Sequence, residues 1–430
     1  TFVERRKIMM RILNGVVHTM AGPVIPHGYV EVENGKIRAV GEMSARTAAA
    51  AGPVYDAGGG HILPGFIDAH CHLGMFGNAL GFEADDGNES TDPCTPQLRA
   101  IDAHTHISTF NEPHWMPHIG DGNEVTSPVT AQIRGIDALN PFDMAIGAAR
   151  SAGFTTCYTG PGSANPIAGQ FAAIKTDGRW VDAMVLRAPA AMKMALGENP
   201  KTVYNERKET PITRMATAAV IRQELSKTLE YMDKQDKADA EEDTDAPDYD
   251  AKLEALIPVL RGELPVHIHA HRADDIATAV RICREFGLKY VIVHGTEGHL
   301  LPELLAAEGA GVITGPSLTD RSKPELANLT IENPAILARA GVPVAICTDH
   351  PVIPIQYLPI CAALAVRGGL EPEEALAAIT IHPARLAGLD KRVGSLEPGK
   401  DADIVVTTGH PLDWNGKVRY VFIGGKQVKG

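Results

Sequence analysis

The sequence predicts an α/β protein: a (β/α)8 barrel with a small β-sandwich domain built from both chain termini. Three observations point there. The middle of the chain alternates short apolar strands with helix-patterned segments, and enough βα units in one domain favour a closed parallel barrel. Both ends are strand-and-turn sequence instead. The length, 430 residues, suits one large barrel with an appendage better than a single small core.

Residues 10–63 read as short strands. "YVEVENGKIRAVGE" is a hairpin, with Asn34-Gly35 between alternating apolar runs. At the other end "DADIVVTTGHP" and "VRYVFIGGKQVKG" are strands, the second turning at Gly424-Gly425. Residues 1–63 and 395–430 are therefore expected to form one composite β domain around a barrel of residues 64–394. Within the barrel, "PVHIHAH" (strand) precedes "ADDIATAVRICREFG" (helix), then "KYVIVHG" (strand), "HLLPELLAAEG" (helix) and "GVITGP" (strand). "ILARAG", the strand "VPVAICTDH" and the helix "LPICAALAVRGG" follow. "MATAAVIRQELSKTLEYMDKQ" has helical spacing, and the acidic "KADAEEDTDAPDYD" after it reads as a solvated excursion.

The formal net charge of −13 argues against a nucleic-acid or anionic-membrane partner and leaves a small-molecule substrate as the expectation. The six cysteines are dispersed and none forms a CxxC pair, which suits reduced thiols in the cytoplasm. The basic start "TFVERRKIMMRILNG" is followed by no long apolar stretch, so neither a signal peptide nor a membrane helix is expected. A homo-oligomer is expected.

Side chains at the C-terminal ends of barrel strands converge on one site. The predicted strand ends carry His70 and His72, then Lys193, then His269 and His271, then His294, and lastly Asp349. A lone strand histidine is ordinarily a core residue, but four such elements in order make a metal-dependent hydrolase the better reading. Strand side chains alternate with period two, so His-x-His aims both rings to one face. Imidazoles with a carboxylate are donors for a Zn²⁺-type ion. "YTGPGSANPIAGQ" lacks the Gly-Lys-Ser/Thr ending of a phosphate loop and reads as an active-site loop. Arg272 and Arg321, just beyond strand ends, are candidates for gripping a substrate carboxylate, with solvated roles equally open.

"LPGFIDAHCHLG", the strand histidines, "TDHP" and "VGSLEPGKDADIVV" together resemble the amidohydrolase superfamily, on the branch of imidazolonepropionase-like enzymes and related dipeptidases. The resemblance runs over nearly the whole chain. It implies one or two divalent ions, most readily Zn²⁺. By position it makes His70 and His72 first-strand ligands, His269 the fifth-strand and His294 the sixth-strand residue, and Asp349 both ligand and general base. It also implies that Lys193 in "AMKMALGENP" is carbamylated and bridges two ions, with Lys175 and Glu198 as weaker rivals.

The first-strand motif occurs twice. "IDAHCHLG" and "IDAHTHIS" are offset by 34 residues, and the "DGNE" that follows each by 35, so a duplicated segment spans about residues 67–138. A barrel has one first strand. Copy one leaves the β domain through "GGGHILPG", whereas copy two leads directly into "ALNPFDMAIGAARSAGFTTCYTG". The entry favours His70 and His72; His104 and His106 are the alternative pair.

The expected chemistry is hydrolysis of an amide-type C–N bond in a cyclic amide, N-acyl amino acid or dipeptide. Asp349 takes the water's proton, and His271 or His299 steadies the oxyanion. The rival readings are a deaminase on the same site and a non-catalytic barrel scaffold.

Overall fold

A computed structural model of the chain describes residues 9–44, 52–73, 123–240 and 245–430. The second His-x-His copy, with His104 and His106, lies outside the described residues.

Strands β1 (Met9–Val17), β2 (Ile25–Glu33), β3 (Lys36–Glu42), β4 (Val54–Asp56) and β5 (His61–Pro64) come from the N-terminal end. The barrel strands are β6 (Phe66–Cys71), β7 (Phe154–Thr159), β8 (Ile167–Lys175), β9 (Val185–Ala195), β10 (Val266–Ala270), β11 (Tyr290–His294), β12 (Gly311–Thr314) and β13 (Val344–Ile346). The chain closes with β14 (Ile404–Thr407), β15 (Val418–Ile423) and β16 (Lys426–Lys429).

Both chain ends share one sheet, in the order β16-β15-β14-β5-β1-β2-β3, with β4 on β1. Asn34 and Gly35 turn the β2–β3 hairpin with φ of 52° and 79°, the left-handed pair a two-residue turn demands. Its inner face packs Ile12, Val30, Ile62, Ile404 and Phe422 into a separate apolar core.

The barrel sheet follows chain order from β6 to β13. It closes between its first and last strands, where Asp349 N–H donates to the His70 carbonyl (3.2 Å) and His72 N–H to that of His350 (2.9 Å). One strand departs from the parallel pattern. β8 runs antiparallel to both neighbours. Only residues 160–166 join β7 to β8, too short for the crossover of a dozen or more residues that parallel strands need, so the chain turns back as a hairpin. The loop expected from "YTGPGSANPIAGQ" is thus a hairpin turn that runs on into β8, and it lies at the C-terminal mouth of the barrel.

Elsewhere the βα alternation holds. The 27-residue helix Arg214–Ala240 buries Ile221 and Leu225 against the helix Ala251–Leu260 and the barrel wall. Among the described residues no helix is long and apolar enough to cross a membrane.

Candidate metal centre at the barrel mouth

Each strand delivers its side chain for a local reason. β6 is buried along its whole length, and the pleat fixes which of its residues share a face. A single residue, Gly65, separates it from β5, which is itself paired to β1 and β14. The structure therefore places copy one at the first strand, with His70 inside β6 and His72 one residue past its end. Lys193 comes from β9 and is paired in register with His267 of β10, while His269 and Ala270 lie level with Val293 and His294 of β11.

The cluster is tight. Asp349 Oδ1 lies 3.5 Å from His70 Nε2 and 3.4 Å from His72 Nε2. Lys193 Nζ lies 3.1 Å from His70 Nε2. The His294 ring is 4.5 Å from those of both His269 and His271, centre to centre. Two trios bring their donor atoms within 4.8 Å of one another: His70, His294 and Asp349, and His269, His271 and His294.

Outer contacts fix which nitrogen each ring presents. His72 Nδ1 meets the Gly160 carbonyl at 2.6 Å, and His294 Nδ1 meets the Gly315 carbonyl at 2.7 Å. A carbonyl only accepts, so Nδ1 carries the proton and Nε2 keeps its lone pair. His271 Nδ1 is likewise bound to Thr296 Oγ1 at 2.7 Å. Metal-ligating histidines are oriented in this way. Both nitrogens of His269 and Nδ1 of His70 are buried without a hydrogen-bond partner. Orphaned buried nitrogens call for an occupant, and this donor set fits a borderline-soft divalent ion.

The electrostatics agree. Burial pushes His70, His269 and His271 well below the usual imidazole range and His294 down to about 4, so all four are neutral donors at pH 7. For Asp349 burial pulls upward, but His294 and His72 outweigh it and hold the carboxyl well below its ordinary value. Burial lowers Lys193 to about 8. His294 and Asp349 also have φ of 73° and 53°. Left-handed backbone in non-glycine residues stores strain and clusters at functional sites.

Other candidates fall elsewhere. His299 is tied to its own turn, with Nδ1 3.2 Å from the Thr296 carbonyl and its N–H donated to Asn333. Lys175 sits at the opposite end of the barrel, where it pairs with Asp401 and Asp403; the reversed direction of β8 takes it there. Glu198 opens the helix Glu198–Arg207 and gives its N–H to Glu325. Arg272 is committed to Asp274 through two bonds of 2.9 and 3.0 Å, and Arg321 donates to the Leu329 carbonyl.

Two contributors escape sequence reasoning. Buried Asp68 accepts from the Thr348 hydroxyl (2.5 Å) and from the His70 N–H (3.2 Å), bracing the first strand against the last. Burial raises its carboxyl to about 7. Glu325, beyond β12, has a fully buried side chain 3.6 Å from His271 Nε2 and 3.8 Å from His269 Nε2. Asp68 stood beside a visible motif, but "RSKPEL" offers no signal for Glu325.

A barrel mouth that gathers neutral imidazoles around an ionised aspartate is a donor set that could hold a divalent ion. The chain belongs to the amidohydrolase family, which it matches over residues 100–428. That match takes in the second His-x-His copy and not the first. The chain is 30% identical over 421 residues to the amidohydrolase tasK of Hapsidospora irregularis, covering 93% of this chain but 39% of that protein. An imidazolonepropionase from Thermoplasma volcanium is 32% identical over 180 residues, 38% of this chain and 41% of its own length. The chain thus spans well under half the length of each of these two relatives. Its fold matches an amidohydrolase from Thermotoga maritima MSB8 with a TM-score of 0.86 and 40% identity, over 97% of this chain and 99% of that one.

Proposed function

We propose that the protein hydrolyses an amide-type C–N bond in a small substrate, a cyclic amide, N-acyl amino acid or dipeptide, with Asp349 as general base. The observation that carries this reading is the ionised Asp349 carboxylate lying 3.4–3.5 Å from two imidazoles.

His70, His72, His269, His294 and Asp349 would hold the ion, with Lys193 beside His70 as the group that carbamylation would turn into a further ligand. The bound ion supplies a Lewis acid for the substrate carbonyl and acidifies water. Asp349 accepts the proton of the attacking water and passes it to the departing nitrogen. Asp68, through Thr348, keeps β6 and the Asp349 turn in register, so the base and the first-strand imidazoles hold their separation. The similarity to imidazolonepropionases supports a cyclic amide among the substrates. Zn²⁺ suits the nitrogen-rich donor set, and the buried free thiols of Cys71, Cys157, Cys283, Cys347 and Cys361 suit a cytoplasmic setting.

The test is turnover of a panel of cyclic amides, N-acyl amino acids and dipeptides by protein stripped with a chelator and reloaded with Zn²⁺ or Mn²⁺. Turnover should vanish on stripping and return on reloading. No bound divalent ion and no turnover on any amide after reloading would overturn the proposal, and release of ammonia from a ring amine alone would replace it with deamination.

A further inference from the structure

We propose that Lys323 binds the carboxylate of the substrate, so that the enzyme takes amides whose leaving nitrogen carries an α-carboxylate, N-acyl amino acids and dipeptides, ahead of uncharged cyclic amides. The inference rests on the hydrolytic reading above and names the residue that chooses among its substrates.

Three loops meet at the mouth of the barrel through one chain of polar contacts. Ser163, in the turn after β7, accepts from Asn199 Nδ2 at 2.7 Å. Asn199 lies in the helix Glu198–Arg207 that follows β9, and its Oδ1 accepts from Lys323 Nζ at 2.9 Å. Lys323, beyond β12, also stands 2.9 Å from Glu325 Oε1. The Lys323 side chain is 30% exposed, whereas that of Glu325 is fully buried.

An ammonium has three N–H donors. Asn199 and Glu325 take two of them, which leaves one for a ligand entering from solvent. The same two acceptors hold Nζ in place before the substrate arrives, so little side-chain freedom is lost on binding. The arginines that the sequence offers for this role are otherwise engaged, Arg272 by Asp274 and Arg321 by the Leu329 carbonyl.

The position suits an α-carboxylate. Glu325 Oε1 is 2.9 Å from Lys323 Nζ and 3.6 Å from His271 Nε2, so the ammonium is one atom removed from the imidazole cluster. Its charge helps to lower His269, His271 and His294, and is therefore felt across that cluster. In an N-acyl amino acid the scissile carbonyl carbon and the carboxyl carbon are separated by two atoms, roughly 3–4 Å. A carbonyl placed at the cluster puts such a carboxylate within reach of Nζ. The charges agree. Glu325 is matched by Lys323 and Asp349 by Lys193. With a divalent ion on the imidazoles the mouth then carries net positive charge and favours an anionic substrate.

The test uses metal-loaded full-length protein and a panel of N-acyl amino acids and dipeptides, each paired with its C-terminal amide. Turnover is read by release of the acyl or N-terminal fragment. A charge-assisted hydrogen bond predicts that wild type prefers the free acid by roughly 10–100-fold in kcat/KM. Lys323→Met should bring acid and amide to within a few-fold of each other, and Lys323→Arg should keep most of the preference. Calorimetric titration with the product amino acid and its carboxamide should show the same preference in wild type and its loss in Lys323→Met, without turnover. Thermal unfolding checks that the variants are folded. Should Lys323→Met fail to fold, Lys323→Gln, which keeps a donor for Glu325 without the charge, is read in the same way. Equal handling of acid and amide by wild type, or turnover of uncharged cyclic amides alone, overturns the inference and leaves the proposed hydrolysis standing. So does a folded Lys323→Met that loses rate on acid and amide alike with the preference intact, since Lys323 would then serve only as the counter-charge of Glu325. No turnover of any amide, with no preference for the acid in binding, removes both.

Discussion

His294 and Asp349 each pay for position with strained backbone, and the surroundings that hold them are specific: a carbonyl behind the His294 ring and, behind Asp349, its own N–H bound to the His70 carbonyl. Two expectations belong at this scale. Asp349→Asn should leave a folded barrel and lower kcat by about 10²–10⁴-fold, since an amide cannot accept the water's proton. Turnover at the wild-type rate would place the base elsewhere. His269→Ala or His294→Ala should lose bound metal and turnover while circular dichroism and Tm stay near wild type, because both rings sit at the C-terminal ends of their strands, at the mouth of the barrel.

At the scale of elements, the hairpin between β7 and β8 matters most. Its Gly160 carbonyl orients His72, and a Cβ at Gly160 would stand 2.5 Å from the Phe171 ring. Gly160→Val must therefore push the turn away from β8 and take the carbonyl with it. Outer-shell losses of this kind weaken metal binding by about 10–100-fold, which competition with a chromogenic chelator would measure; unchanged affinity would show that His72 is held without this carbonyl. The first strand poses the other question at this scale. With copy one in β6, the double change His70→Ala and His72→Ala should abolish metal binding, and the double change at His104 and His106 should mainly alter KM. Metal lost only from the latter pair would make copy two the working strand, as the start of the family match at residue 100 allows.

The whole molecule is joined at the closed end of the barrel. There Asp401 accepts from Lys175, Lys36 and Arg392, linking β8 of the barrel to the terminal sheet. Burial raises the Asp401 carboxyl, but the bonds from Lys175 and Lys36 and the charge of Arg392 outweigh it and bring it to about 2. A folded pKa below the unfolded value of 3.8 stabilises the protein above about pH 4, and the contribution is lost as pH falls toward 2. A shift of this size corresponds to roughly 2 kcal/mol. Asp401→Asn should lower stability by about that much at pH 7 and show a flatter loss between pH 4 and 2 in denaturant titrations. Equal acid sensitivity in both proteins would mean the cluster does not couple the two sheets.

The strand-end histidines, the aspartate after β13, the Asn34-Gly35 hairpin and the βα alternation were all legible in the chain, because each depends on period-two alternation or on turn residues a few positions apart. The reversal of β8 was half legible, in a connection too short for a crossover. Contacts between distant segments were decided only in three dimensions: Glu325 against His269 and His271, Thr348 against Asp68, and Lys175 drawn to Asp401 instead of the metal cluster. Copy one for β6 was already favoured by its entry from "GGGHILPG". Two nearly identical His-x-His segments have the same local preferences, and only the tether from β5 through Gly65 distinguishes the one that lies in the barrel wall.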